Sequence, residues 1–226
     1  MKIPKSQITY LVKNALAEDI GSGDITTNVI VPERRLAQGT IVLEEDAVIV
    51  GIEISEEVFK QLDKNVRFSA VYKDGARVLK GKVVAEISGK ARALLTGERT
   101  ALNILQRLSG IATLTNSFVR AVKGTDAKIV DTRKTTPNLR IFKKYAVLMG
   151  GGHNHRFGLY DAVLIKDNHI SIAGGIKKAV AMARQNIPHT MKIEAEAKSR
   201  KEVKDAITAG ADIIMLDNMS VAMMKK

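Results

Sequence analysis

The chain contains no cysteine and no tryptophan, only four prolines, and few aromatics: four tyrosines and five phenylalanines in 226 residues. Without cysteine there are no disulfides and no thiolate metal sites, and a reducing cytoplasm is the expected compartment. No aromatic interleaves with the basic residues as a base-stacking platform requires. Long apolar runs are missing too. Stretches such as residues 40–43 and 162–165 fall far short of the about 20 residues that cross a bilayer. The opening Met1-Lys2-Ile3-Pro4-Lys5-Ser6-Gln7 lacks the apolar core of a signal peptide. Acid is scarce, with 24 Asp and Glu against 36 Lys and Arg, a net charge of +12. That excess suits a solvated lysine-rich surface, a polyanionic partner, or a pocket for a highly charged small substrate. A nucleic-acid binder would show affinity falling steeply with salt. Composition does not choose among these, so the positions of the charges must.

Two halves read differently. Residues 1–90 mix a helix over 5–18 with short β-like runs at 39–44, 48–50, 66–72 and 82–87, and a second helix at 53–62. Turn signals such as Gly21-Ser22-Gly23-Asp24 and Lys73-Asp74-Gly75 separate them. This is the pattern of an α+β domain. From Ala91 the periodicity is helical, with Leu94, Ala101, Leu105, Leu108 and Ala112 on one face. Gly110 interrupts the run, which predicts a helix break and a domain boundary near Ser109-Gly110, giving domains 1–109 and 110–226. Strand–helix alternation then repeats. Strands are expected at 127–131, 161–165, 190–195 and 212–216, with helices at 139–149, 172–185, 199–209 and from 220 onward. Such repetition specifies a parallel α/β sheet or barrel.

Each expected parallel strand runs into charge at its C-terminal end, where ligands bind in such folds. The first meets Asp131-Thr132-Arg133-Lys134, the second Lys166-Asp167-Asn168-His169; the third carries Glu194 and Glu196, and the fourth meets Asp217-Asn218. Along the third strand Lys192, Glu194 and Glu196 share one face and Ile193, Ala195 and Ala197 the other. The apolar face is expected to meet helices, leaving the charges on the interior side; a wet edge strand is the alternative. In Gly150-Gly151-Gly152-His153-Asn154-His155-Arg156 the glycines would let backbone approach a ligand closely. The glycine spacing fits neither a Walker loop nor a dinucleotide fingerprint. His153, His155 and His169 are candidate metal ligands, although no fourth ligand has structural-zinc spacing. Arg133, Lys134, Arg156 and Lys166 concentrate cations for carboxylate or phosphate. Glu196 and Asp217 are hard oxygen donors of the kind magnesium uses while holding a pyrophosphate. Together they point to group transfer from a diphosphate donor.

These residues resemble a known family. Glu98-Arg99-Thr100-Ala101-Leu102-Asn103, Leu108-Ser109-Gly110-Ile111-Ala112-Thr113, Asp131-Thr132-Arg133-Lys134-Thr135-Thr136-Pro137, the glycine–histidine run, Leu164-Ile165-Lys166-Asp167-Asn168-His169 and Met215-Leu216-Asp217-Asn218-Met219 are similar to the motifs of quinolinate phosphoribosyltransferases. So is Glu18-Asp19-Ile20-Gly21-Ser22-Gly23-Asp24-Ile25-Thr26-Thr27, and the matches run in family order along nearly the whole chain. The resemblance implies an N-terminal α/β sandwich, a C-terminal α/β barrel, and a homodimer or higher oligomer. It implies conversion of quinolinate and phosphoribosyl pyrophosphate to nicotinate mononucleotide, carbon dioxide and pyrophosphate with magnesium; on composition and run length, no nucleic-acid or membrane partner is expected. Arg133, His155, Arg156 and Lys166 are implied to hold the quinolinate carboxylates, with Arg99 reaching in from the neighbouring subunit. Lys134 is implied to contact the donor, and Glu196 and Asp217 the ribose and the magnesium-bound pyrophosphate. Lys134, Lys166, Glu196 and Asp217 are the implied catalytic set.

The sequence departs from the family pattern at a few places. Asn138 stands where glycine is usual, Ala195 and Ala197 replace valines, and Lys143 occupies a place where an acid is common. The family continues past Asp217-Asn218-Met219 with further strands that bind the donor phosphate, whereas this sequence ends at Lys226. The expectation is therefore an incomplete barrel lacking its last strands and that phosphate site. Truncation is the favoured explanation, a short form completed by oligomerisation the other. Rival readings are a molybdenum-associated or nicotinate-specific relative, and a catalytically silent assembly partner.

Overall fold

In a computed structural model, which describes residues 1–225, the chain divides into two compact units, Met1–His155 and Arg156–Lys226. The first unit begins with α1 (Lys5–Ile20), which buries Ile8, Val12 and Leu16 at helical spacing. A short α2 (Ile25–Ile30) follows, not foreseen in the sequence; Asp24 caps it by accepting from the Thr27 amide at 2.9 Å. Strand β1 (Leu36–Val42) lies beside β5 (Val83–Lys90), which in turn pairs with β3 (Arg67–Ala70), giving an antiparallel sheet of order β1-β5-β3. Two short strands, β2 (Ala47–Val48) and β4 (Arg77–Val78), form a separate antiparallel pair.

Helix α3 (Ile52–Leu62) packs its Ile54, Val58 and Phe59 with the buried residues of α1, and the Phe59 ring stacks on Phe68 at 6.2 Å. Glu57 joins the two helices through Lys5 at 2.7 Å and Thr9 at 2.9 Å, and accepts from Gln61 of its own helix at 2.7 Å. Burial pushes its carboxyl up, but these three partners hold it below the usual range.

Helix α4 (Ala91–Ala121) is continuous, so the break expected at Ser109-Gly110 does not occur. Ala101, Leu105, Leu108 and Ala112 are all buried along one stripe. Their burial outweighs the roughly 1 kcal/mol that a mid-helix glycine costs. The strand expected over 127–131 is also absent. It is reduced to one parallel bridge between Val130 and His153, because a single residue of the glycine loop lies alongside to pair with it. Helix α5 (Arg140–Met149) completes this unit and adds Phe142 and Ala146 to its core.

The second unit is a parallel sheet of order β6-β7-β8, from β6 (Val163–Ile165), β7 (Ile193–Ala197) and β8 (Ile213–Leu216). The helix expected over 172–185 is two helices, α6 (Asp167–Ala173) and α7 (Ile176–Asn186). Gly174 and Gly175, both at positive φ, separate them. Helix α8 (Arg200–Thr208) precedes β8, and α9 (Val221–Met224) ends the described chain. Ile193, Ala195 and Ala197 are fully buried, and the first two pack with Ile176, Ala179 and Val180 of α7 and Ala206 of α8. The alternation read from β7 therefore holds, and its central place in the sheet overturns the edge-strand alternative. Asp212 fastens this layer by accepting from the Ile193 amide at 2.7 Å and from Arg184 at 2.6 Å.

Gly110 is exposed, and an added Cβ would meet nothing within 4 Å. Gly110→Ala should stabilise the chain by about 0.5–1 kcal/mol, seen as a higher urea midpoint. A lower midpoint would show that α4 needs the glycine's freedom.

Candidate active site

Two lysines and an aspartate organise the first unit's share of the site residues. Lys144, on α5, has a side chain with 0% exposure, and its ammonium lies 2.5 Å from Asp131 Oδ1. The same ammonium donates to the His155 carbonyl at 3.0 Å, while the His155 amide donates to Asp131 Oδ1 at 2.9 Å. Asn154 Nδ2 closes the network, donating to Asp131 Oδ2 at 2.7 Å and to the Lys144 carbonyl at 3.0 Å. Asp131 thus accepts from a cation, a backbone amide and a side-chain amide, as a buried carboxylate must. Lys143, the neighbour of Lys144, donates to Thr136 Oγ1 at 2.5 Å; burial and the nearby Arg107 lower its ammonium pKa.

Arg133 follows Asp131 by two residues. Its Nε is buried and has no hydrogen-bond partner. A buried donor left without a partner costs about 1–3 kcal/mol, which an acceptor such as a carboxylate would relieve. Lys134 is exposed, with its amide held by Thr132 Oγ1 at 3.0 Å, and Arg140 braces Thr135 at 3.1 Å. Asn138 takes the left-handed conformation, φ 63°, which explains how asparagine serves where glycine is usual. Arg99 stands exposed on α4; neither it nor the Lys134 side chain makes a hydrogen bond or ion pair among the described residues.

Two glycines of the run are required by packing against helices. A Cβ on Gly150 would sit 2.4 Å from the Ala112 carbonyl oxygen and 2.8 Å from Thr115 Cβ. One on Gly152 would meet Thr115 and Val147 at 2.8 and 2.9 Å. These two glycines allow the loop to lie against α4 and α5, with Asn116 donating to the Gly150 carbonyl at 3.2 Å. The close approach that they permit is to these two helices.

In the second unit the Arg156 guanidinium donates to the Ala162 carbonyl at 3.2 Å. Lys166 ends β6 with its ammonium 3.4 Å from Glu196 on β7, whose side chain is 12% exposed. Its amide donates to Nδ1 of His169 at 2.9 Å, which engages that ring in capping α6. Asp217 stands just past β8, its amide bonded to the Ala197 carbonyl at 3.0 Å, and Asn218 turns the chain with φ 54°. Lys198, which the sequence reading passed over, bridges Asp167 at 2.7 Å and Asp217 at 3.9 Å. Its hydrogen bond holds the Asp167 carboxyl below the ordinary range and raises its own pKa. Glu194 is buried.

Among the described residues no group of three or more His, Asp or Glu could hold a metal unaided. Glu196 on β7 and Asp217 just past the neighbouring β8 are two carboxylates of the kind that would fit magnesium drawing its remaining ligands from water and phosphate oxygens. Nor is any helix of the described residues long and apolar enough to cross a membrane.

A family model described as "Quinolinate phosphoribosyl transferase, N-terminal domain" matches residues 24–109, and one described as "Quinolinate phosphoribosyl transferase, C-terminal domain" matches residues 111–226. The chain belongs to the quinolinate phosphoribosyltransferase family. It is 48% identical to a probable nicotinate-nucleotide pyrophosphorylase [carboxylating] of Bacillus subtilis (strain 168), over 94% of this chain and 73% of that protein. A protein of the same name from Methanocaldococcus jannaschii is 44% identical over 95% and 75%. Among solved structures, NadC from Streptococcus pyogenes superposes with a TM-score of 0.94 at 45% identity, covering 99% of this chain and 79% of that one. The nicotinate-nucleotide pyrophosphorylase from Francisella tularensis gives 0.92 at 44% identity, covering 97% and 77%.

Gly150→Ala should destabilise the protein by about 1–3 kcal/mol or more, because the clash is with backbone. A thermal melt unchanged by that substitution would show that the loop does not need its close packing on α4.

Proposed function

We propose that this member of the quinolinate phosphoribosyltransferase family transfers the phosphoribosyl group of phosphoribosyl pyrophosphate to quinolinate with loss of carbon dioxide, giving nicotinate mononucleotide and pyrophosphate. The observation that carries this reading onto the chain's own residues is the buried, unpartnered Nε of Arg133, two residues from an anchored Asp131. A planar guanidinium of this kind suits a carboxylate.

In this reading Arg133, His155, Arg156 and Lys166 bind the two carboxylates of the pyridine. A substrate with one carboxylate would need fewer cations, which argues for quinolinate over nicotinate. Lys134 receives the donor's phosphate. Glu196 and Asp217 face the ribose, where departure of pyrophosphate builds positive charge that carboxylates stabilise. Lys166, 3.4 Å from Glu196, orients that carboxylate until substrate enters. Magnesium, when bound by Glu196 and Asp217, supplies charge neutralisation of the departing pyrophosphate. Ribosylation comes before decarboxylation, because a ring nitrogen made cationic by the ribose accepts the electron pair left by the departing carboxylate. Carbon dioxide released without donor would refute that order.

The chain works in this reading as a homodimer or larger homo-oligomer, with Arg99 serving the neighbouring subunit's site. Supporting this, Arg99 is exposed on α4, whose Leu95, Leu114 and Phe118 are each at least half exposed. Mixing Arg99→Ala subunits with Arg133→Ala subunits should restore activity that each lacks alone, since a mixed pair regenerates one intact site. No recovery on mixing would assign Arg99 to its own subunit.

Purified protein given quinolinate, phosphoribosyl pyrophosphate and magnesium should form nicotinate mononucleotide, detected by mass spectrometry, with none from nicotinate. Product from nicotinate alone would point to a nicotinate-specific relative. No product, with quinolinate still bound, would point to the assembly-partner reading.

A further inference from the structure

The geometry points to Lys144 and Asp131 as a buried clamp that positions His155 and Arg133 for the dicarboxylate without touching it. This rests on the functional reading just given, and it adds two positioning residues to the binding set.

The ion pair grips one residue from both sides. Asp131 takes the His155 amide and Lys144 takes the His155 carbonyl, at 2.9 and 3.0 Å. With both backbone groups of one residue fixed, the direction in which its side chain leaves the loop is fixed as well. Nothing else in the loop supplies that constraint by regular structure, since Val130 and His153 form only a single bridge. Asn154 adds a lateral strut from Asp131 to the α5 backbone. The same Asp131 precedes Arg133 by two residues, and its amide donates to the His153 carbonyl at 3.1 Å. One carboxylate therefore sets the backbone on which two proposed carboxylate ligands are mounted.

Stability alone is a poor reason for such a pair. Removing two charges from water is expensive, and neutral replacements of buried ion pairs are often no less stable. What an ion pair with three further hydrogen bonds provides is a unique geometry. Lys144 cannot itself reach a ligand, because its side chain has no exposed surface.

The test uses the neutral, near-isosteric double variant Asp131→Asn/Lys144→Met, which leaves no lone buried charge. By calorimetry its Kd for quinolinate should rise on the order of 10–100-fold, while that for phosphoribosyl pyrophosphate shifts by no more than about threefold. Its urea midpoint should stay close to the parent's, and the His155 amide should exchange faster with deuterium. Unchanged quinolinate binding, or equal loss of both ligands, would overturn the clamp. Should the double variant not fold, Asn154→Ala leaves the ion pair in place and removes only the strut; it should weaken quinolinate severalfold and spare the donor, and no change would overturn the proposal. If the parent protein itself does not bind quinolinate, the functional reading fails separately. The clamp is then judged by His155 amide exchange alone, and equal exchange in parent and variant sinks it.

Discussion

A lysine ammonium with no exposed surface requires a carboxylate and further acceptors, and Lys144 finds them in Asp131 and the His155 carbonyl. The dependence runs outward from there. Residues 127–155 contain one helix and otherwise irregular backbone, so their polar groups cannot all be satisfied by ladders. Asp131 and Lys144 satisfy several at once, and Gly150 and Gly152 then let the loop settle against α4. The next residue of α5, Tyr145, donates to Asp74, which also accepts from the Gly51 and Ile52 amides at the start of α3. Burial raises the Asp74 carboxyl pKa against those three donors, and burial with Asp74 alongside raises that of the Tyr145 hydroxyl. Two adjacent residues of one short helix thus tie the loop bearing His155 to the hydrophobic core of the sandwich.

The second unit solves a different electrostatic problem. Its acids stand at the ends of three neighbouring parallel strands, where like charges would repel. Two lysines intervene, Lys166 beside Glu196 and Lys198 between Asp167 and Asp217. Lys166 is also part of the proposed set for substrate, so one of these cations has a second task when ligand arrives. Both are exposed enough to change partners at small cost, since solvent-facing pairs contribute only about 0–1 kcal/mol. A buried pair such as Lys144–Asp131 could not serve in this way. The contrast separates residues that hold geometry from residues that can exchange one anion for another.

Much of this was legible in the sequence because period and position are local properties. The alternation of Lys192, Glu194 and Glu196 against Ile193, Ala195 and Ala197 foretold which face of β7 meets the helices. Two failures had a common cause. Gly110 was read as a helix break, and residues 127–131 as a strand, from local preference alone. Tertiary packing overrode the first, and the lack of a neighbouring strand defeated the second. Lys144 was invisible for a similar reason: a lysine between Phe142 and Ala146 reads as solvent-facing, and only the fold brings Asp131 to it. A lone acid at the head of the cationic Asp131-Thr132-Arg133-Lys134 run was the available signal.

The glycine loop shows why motif and mechanism should be kept apart. Gly150-Gly151-Gly152 helps identify the family, yet two of its three glycines are explained by carbonyl and methyl groups of α4 and α5 lying where a Cβ would be. By letting the loop lie flat on the helices, they bring Asn154 and His155 within reach of Asp131 and Lys144. Arg133 presents the converse. Its buried Nε lacks a partner, a defect that folding alone would be expected to remove, and one that an anionic substrate would mend. Among the described residues the satisfied polar groups hold the scaffold together, and the unsatisfied Arg133 Nε is the buried side-chain donor left open to an acceptor.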